Sequence, residues 1–273
     1  MDKEEITTMK GDISEFAEEM KKLIINKEFS DIKFLVGPHR KTIYAHRCIL
    51  SSRCQVFKAM FAEQAQKNGM MDKDVPFVLS DMSPDVFIAM IEFIYTNCVT
   101  LTPSIAVDVL ATSLEYGLDA LKKLCVEYLS ENVRVNNACE MVQAGVTYGQ
   151  EKLVTTAVVF IEHHTEDTFK SKGFEELSGD ALSQILLSEK LTLDELEIVK
   201  HVRQWAAINS VVLSKPISEV AQSVVIHLRL PLLSPEELEH LEQENQKDNF
   251  IPVENFNAAW RLHALRHGDP VIL

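Results

Sequence analysis

The feature that most constrains this chain is where its extended segments stop. β-type runs occur only in the first hundred or so residues, and from about 136 to 266 every apolar pattern has the period of a helix. DIKFLV (31–36) and TIYA (42–45) flank a Gly37-Pro38 turn, and VPFVL (75–79) makes a third strand. No Ser/Gly-rich linker separates the two regions. The pattern predicts a mixed α/β part to about residue 130, followed by an all-helical part. A length of 273 residues suits two domains.

Helical spacing fills the first part around its strands. Residues 12–26 place Ile13, Phe16, Met20, Leu23 and Ile24 on one stripe, and Asp12 with Glu15 forms a D-x-x-E start signal. Burying five large side chains is worth roughly 7–15 kcal/mol gross, at about 1.5–3 each. The stripe must therefore pack on its own domain or on a partner subunit. Residues 46–64 read as one helix, 65–74 as a polar loop, and Ser83-Pro84 as an N-cap with proline in the first turn. Phe87, Met90, Ile91 and Ile94 form the next stripe, and two helices follow at about 103–116 and 118–130. In the second part, Thr192 with Glu195 and Ser234 with Glu237 read as capping boxes.

Charge and motifs narrow the function. Basic residues number 27 against 41 acidic, a net charge of −14, which is the wrong sign for a duplex nucleic-acid binder. Phosphate loops, G-x-G-x-x-G, G-x-S-x-G and H-E-x-x-H are all absent. His263 and His267 share a helical face but have no third ligand beside them. The five cysteines, Cys48, Cys54, Cys98, Cys125 and Cys139, include no C-x-x-C pair and are expected to be buried free thiols. Neither a signal-type terminus nor an 18-residue apolar span is present. The expectation is a non-enzymatic binding protein of the cytoplasm, with the nucleus as a second location. It would use no cofactor and no metal and touch neither nucleic acid nor membrane.

At this point the residues carry a family pattern. FSDIKFLV (29–36), AHRCILSSRCQVFKAMF (45–61), LSDMSPDVFIAMIEFIYTNCVTL (79–101) and LATSLEYGLDALKKLCVEYL (110–129) resemble the successive segments of a BTB/POZ domain. AVVFIEHH (157–164), FEELSGDALSQILLSEKLTLDELEIVKHVRQW (174–205), LRLPLLSPEEL (228–238) and NAAWRLHAL (257–265) resemble a BACK domain. The resemblance implies an α+β, mostly helical chain, in which a short mixed sheet flanked by helices precedes an all-α region. Its expected divisions are a flexible N-terminus (1–11), a BTB/POZ domain (12–131), a BACK domain (132–267) and a tail (268–273). It implies a homodimer in which the N-terminal helix is swapped, with Ile13, Phe16, Met20, Leu23, Asp31 and Arg47 at or near the interface. For Asp31 and Arg47, a buried pair that holds the fold is an equal alternative. His46 reads as a core histidine.

The resemblance also implies a partner, cullin-3, and through it an unidentified protein substrate. The family's cullin-3 contact follows the Met-Phe pair, here Met60-Phe61, as a large apolar residue, any residue, then Glu. This chain has Ala65, Gln66 and Lys67 there instead. Met70, Met71 and Asp72 restore an apolar-any-acid pattern further along. Val142, Val146 and Leu153 match the additional BACK contact, although their spacing equally describes plain helical core. Two functions stay open: a substrate adaptor for a cullin-3 ubiquitin ligase, or a cullin-independent dimeric scaffold or co-regulator.

Overall fold

In the computed structural model, residues 11–68 and 75–267 are described, and the chain divides into two units at Leu129/Ser130. The first unit opens with α1 (Ile13–Lys21), then β1 (Ile32–Val36), β2 (Lys41–Ala45), α2 (Arg47–Arg53), α3 (Gln55–Asn68) and β3 (Phe77–Leu79). It continues with α4 (Pro84–Thr96), α5 (Ala106–Glu115) and α6 (Asp119–Glu131). The sheet order is β2-β1-β3. β1 pairs antiparallel with β2, Phe34 opposite Ile43, and parallel with β3, Phe34 opposite Phe77. The mixed sheet and mostly helical composition agree with the fold expected from the sequence.

Phe34 organises this core because it sits on the central strand. Its ring lies 4.9 Å from Phe87, 5.7 Å from Phe57 and 5.9 Å from Phe77, centroid to centroid. Two strands and two helices therefore meet on one residue, and such aromatic pairs add about 0.5–1.5 kcal/mol each beyond burial. Gly37 allows the β1–β2 turn, with φ of 76°. A Cβ there would lie 3.1 Å from Pro84 Cδ, so the turn and the start of α4 can pack closely only with glycine.

Several expected elements change at their ends. The helix read over 12–26 stops at Lys21, where i→i+3 bonds from Lys22, Leu23 and Ile24 tighten the chain into a turn. Asp12 caps it by accepting the Ser14 N–H at 2.7 Å. The single helix expected over 46–64 is broken at Cys54, which is extended at φ −136° and ψ 118°. That residue re-aims the chain so that Phe57 and Phe61 face the sheet. α3 then runs to Asn68, past the start of the expected loop at 65, and the third strand covers only 77–79.

The second unit holds α7 (Ala138–Thr147), α8 (Glu151–His163), α9 (Thr165–Phe169), α10 (Lys172–Glu175) and α11 (Gly179–Leu186). α12 (Glu195–Leu213) and α13 (Ile217–Ala221) follow, then two 3₁₀ turns, α14 (Pro235–Asn245) and α15 (Val253–His267). α7 and α8 pack tightly at Gly145, where a Cβ would meet Val154 Cγ2 at 2.6 Å. Trp205, fully enclosed, donates its indole N–H to Leu177 O at 2.8 Å. Asn245 fastens the segment after α14, donating to Ile251 O at 2.7 Å and accepting its N–H at 2.8 Å.

The Ser234/Glu237 capping box forms as read, but the Thr192/Glu195 box does not. α12 starts at Glu195, whose carboxylate accepts the Arg229 N–H at 2.6 Å, while the Thr192 N–H goes to Thr165 Oγ1 at 3.2 Å. Distant partners displaced the local bond. The cysteine expectation also needs correction: Cys54, Cys125 and Cys139 are buried, but Cys48 and Cys98 are exposed. Among the described residues, no helix is long and apolar enough to cross a membrane, and no three His, Cys, Asp or Glu side chains group to hold a metal.

Candidate interaction surface

α1 lies on α4 and buries only Ala17 of its own residues. Its anchor is ionic. The Lys21 ammonium sits 2.7 Å from Glu92 Oε1, and Glu92 also accepts the Thr100 N–H at 3.0 Å and hydroxyl at 3.1 Å. Glu92 is buried in the middle of an apolar helix, where an unpaired carboxylate would be costly. Burial pushes its pKa up, but the lysine and the two Thr100 bonds outweigh that and hold it below the usual carboxylate range. The sequence reading missed this tie. Its signal was present: Glu92 is the lone acid between Val86 and Tyr95.

With α1 so held, its apolar stripe divides. Met20, Leu23 and Ile24 are half-buried. Ile13 and Phe16 are 71% and 60% exposed, and Phe29, beyond the following turn, is exposed as well. An amphipathic helix whose largest side chains face water has the composition of an interface.

Asp31 and Arg47 meet, but not as a guanidinium–carboxylate bridge. Asp31 Oδ1 accepts the Arg47 backbone N–H at 2.7 Å and so serves the first turn of α2 from outside the helix. The Arg47 guanidinium reaches Gln64 Oε1 at 2.8 Å and stacks over Phe61, 4.9 Å from its centroid. Arg47 is 6% exposed, and burial pushes its pKa down while Asp31 opposes the shift. Both residues hold their own fold. His46 is buried beside Tyr95, whose hydroxyl accepts the His46 backbone N–H at 2.8 Å and lies 3.0 Å from Nδ1. Burial raises the Tyr95 pKa.

Three of the expected cullin-contact residues are enclosed, each within its own unit. Phe61 is 3% exposed and stacks on Phe57 at 5.9 Å. Val142 and Leu153 have no exposed area, because α7 and α8 turn them into their shared core. These three are corrected to core residues. Ala65 and Val146 are half-buried and retain some surface. Met70, Met71 and Asp72, the segments 1–10 and 268–273, and the His267 side chain lie outside the described residues.

Comparison with known proteins bears on this arrangement. Residues 20–133 match the BTB/POZ domain, and 138–243 match the domain described as BTB And C-terminal Kelch. The chain is 40% identical to BTB/POZ domain-containing protein 19 of Bos taurus, over 95% of this chain and 88% of the relative. The Homo sapiens protein of that name is 39% identical over the same shares. This chain belongs to the BTB/POZ–BACK family. BTB/POZ domain-containing protein 9 of Homo sapiens is more distant, 30% identical over 79% of this chain but only 34% of the relative. BTB/POZ–BACK chains are protein-interaction adaptors, and the BTB domain generally mediates self-association and partner binding. The exposed Ile13 and Phe16 of α1 lie just ahead of the matched residues, in the same compact unit.

Proposed function

We propose that this BTB/POZ–BACK chain is a cytoplasmic homodimeric adaptor that brings a protein substrate to a cullin-3 ubiquitin ligase and does no chemistry itself. The observation that carries the dimer is the exposure of Ile13 and Phe16 on a helix anchored through Lys21 and Glu92. A second copy, related by a two-fold axis, would cover each stripe with its own. The cullin arm rests on the family resemblance and on Met70-Met71-Asp72 as a replacement contact.

A specific set of observations favours a second reading, a cullin-independent dimeric scaffold. Ala65 removes the apolar anchor, Lys67 reverses the acid, and Phe61, Val142 and Leu153 are enclosed. Losing a buried anchor costs about 1–3 kcal/mol, or roughly 5- to 150-fold in affinity. Calorimetric titration with the cullin-3 N-terminal domain, with light scattering on the same sample, separates the two. One cullin per chain on a dimer supports the ligase adaptor. A dimer with no binding heat at saturating cullin-3 refutes it and leaves the scaffold.

A further inference from the structure

The second unit carries a groove of about 610 Å³ between α12 and α14. Leu196, Ala207 and Ile217 supply its accessible apolar surface, and the buried Val199 and Leu241 lie beneath its floor. Along α12 the groove-facing residues recur at 196, 199, 200, 203, 204 and 207; along the α14 wall they recur at 237, 240, 241, 244 and 248. The α12 series keeps one helical face for about three turns, roughly 16 Å at 1.5 Å per residue, and the α14 series for about two, with Asp248 just past the end of that helix. That run matches the length of a short helical segment.

Its charge is asymmetric. α14 (PEELEHLEQEN) holds five glutamates and no lysine or arginine. Glu236, Glu237, Glu244 and Asp248 face the groove against Lys200 and Arg203. The two bases are already engaged: Lys200 lies 2.7 Å from Glu197, and Arg203 lies 3.4 Å from Glu244 and 3.6 Å from Asp248. Among the described residues, Glu236 and Glu237 have no cationic partner within 4.0 Å; the capping bonds of Glu237 are to the neutral Ser234. Arg203 is also closed off from a partner: its guanidinium lies over the Phe250 ring at 5.3 Å, and its Nε and one Nη are shielded from solvent.

We propose that this groove docks a short cationic amphipathic segment of a partner protein. Its apolar side chains lie on Leu196, Ala207 and Ile217, which keep exposed surface, and its lysine or arginine side chains face Glu236 and Glu237. An apolar face in a groove is a recurrent way to bind a helix, and the acidic rim selects the sign of the partner. The inference deepens the adaptor reading by naming the class of protein recruited. It needs neither cullin-3 nor the dimer, so failure here and failure of the cullin titration are separate results.

The test is fluorescence anisotropy of the full chain with a labelled synthetic peptide of about 12 residues, leucines at heptad spacing and lysines elsewhere. A second peptide carries glutamate in place of each lysine. Ala207→Trp fills the exposed end of the groove without entering the core. Glu236→Lys with Glu244→Lys reverses the rim, and Glu127→Lys with Glu140→Lys makes the same change in net charge on exposed sites elsewhere. Unchanged circular dichroism of each variant confirms its fold. The expected result is saturable binding of the lysine peptide, weakened about tenfold or more by A207W and by the rim reversal but not by the remote pair, and no binding of the glutamate peptide. Equal loss from the remote pair, indifference to A207W, or equal binding of the glutamate peptide overturns the proposal. So does a fall in sedimenting mass with A207W, which would make the groove a contact between copies.

Discussion

Replacing Phe16 by Asp tests self-association most directly, and its size follows from the exposure of that ring. A phenylalanine can bury about 150–250 Å², and Phe16 leaves 60% of its surface to water. About 90–150 Å² is therefore available to a partner, worth roughly 2–4 kcal/mol at about 25 cal/mol/Å². A two-fold interface contains the residue twice. The substitution should remove about 4–8 kcal/mol from the dimer, or roughly three to six orders of magnitude in dissociation constant. Because α1 buries only Ala17 in its own unit, the monomer should keep its fold. Leu23 is half-buried and would confuse the result; Ile13→Asp is the better companion. Sedimentation equilibrium should give a dimer for the native chain and a monomer for F16D at micromolar concentration. Circular dichroism should show the same helical signal for both. A folded F16D variant that sediments as a dimer would refute the proposed use of α1, as would a native chain that stays monomeric at high concentration.

Three further outcomes follow from the packing and the ionisable groups. Gly145→Ala gains about 1 kcal/mol in helix propensity but places a methyl 2.6 Å from Val154 Cγ2 and 3.0 Å from Val154 N. Overpacking costs about 1–3 kcal/mol, so the urea midpoint should fall, and Val154→Ala should restore part of the loss; a more stable G145A variant would show that α7 and α8 separate freely. The depressed pKa of Glu92 means that the folded chain binds this proton less readily than the unfolded chain. Its stabilisation is therefore complete above the ordinary glutamate value of about 4.3 and is lost as pH falls through the lower folded value. Glu92→Gln should flatten the acid side of the stability profile, and superimposable profiles would count against the Lys21–Glu92 tie. Ellman's reagent should titrate Cys48 and Cys98 in the folded protein and reach Cys54, Cys125 and Cys139 only after denaturation. Burial raises the Cys125 and Cys139 thiols to about 12 and about 11, so they stay protonated as well as covered. Rapid reaction of a third thiol would contradict this packing.

The sequence alone determined the division into a mixed part and a helical part, and the helix starts at Asp12, Ser83 and Ser234. Each of those starts depends on a cap and an amide no more than three residues apart, so the chemistry is local. The family motifs were legible for a related reason, since they lie in short contiguous runs. Tertiary structure decided what lay beyond that range. Thr192 and Glu195 held a valid capping pattern but found better partners in Thr165 and Arg229, 27 and 34 residues away. Periodicity identified the stripes holding Ile13, Phe16, Phe61, Val142 and Leu153 without saying which would be covered. Packing left the first two in water and enclosed the other three. A stripe records that a face is apolar, whereas its burial depends on what the rest of the chain brings against it. The groove between α12 and α14 is the same kind of outcome, because its walls are ordinary amphipathic helices until the fold sets them side by side.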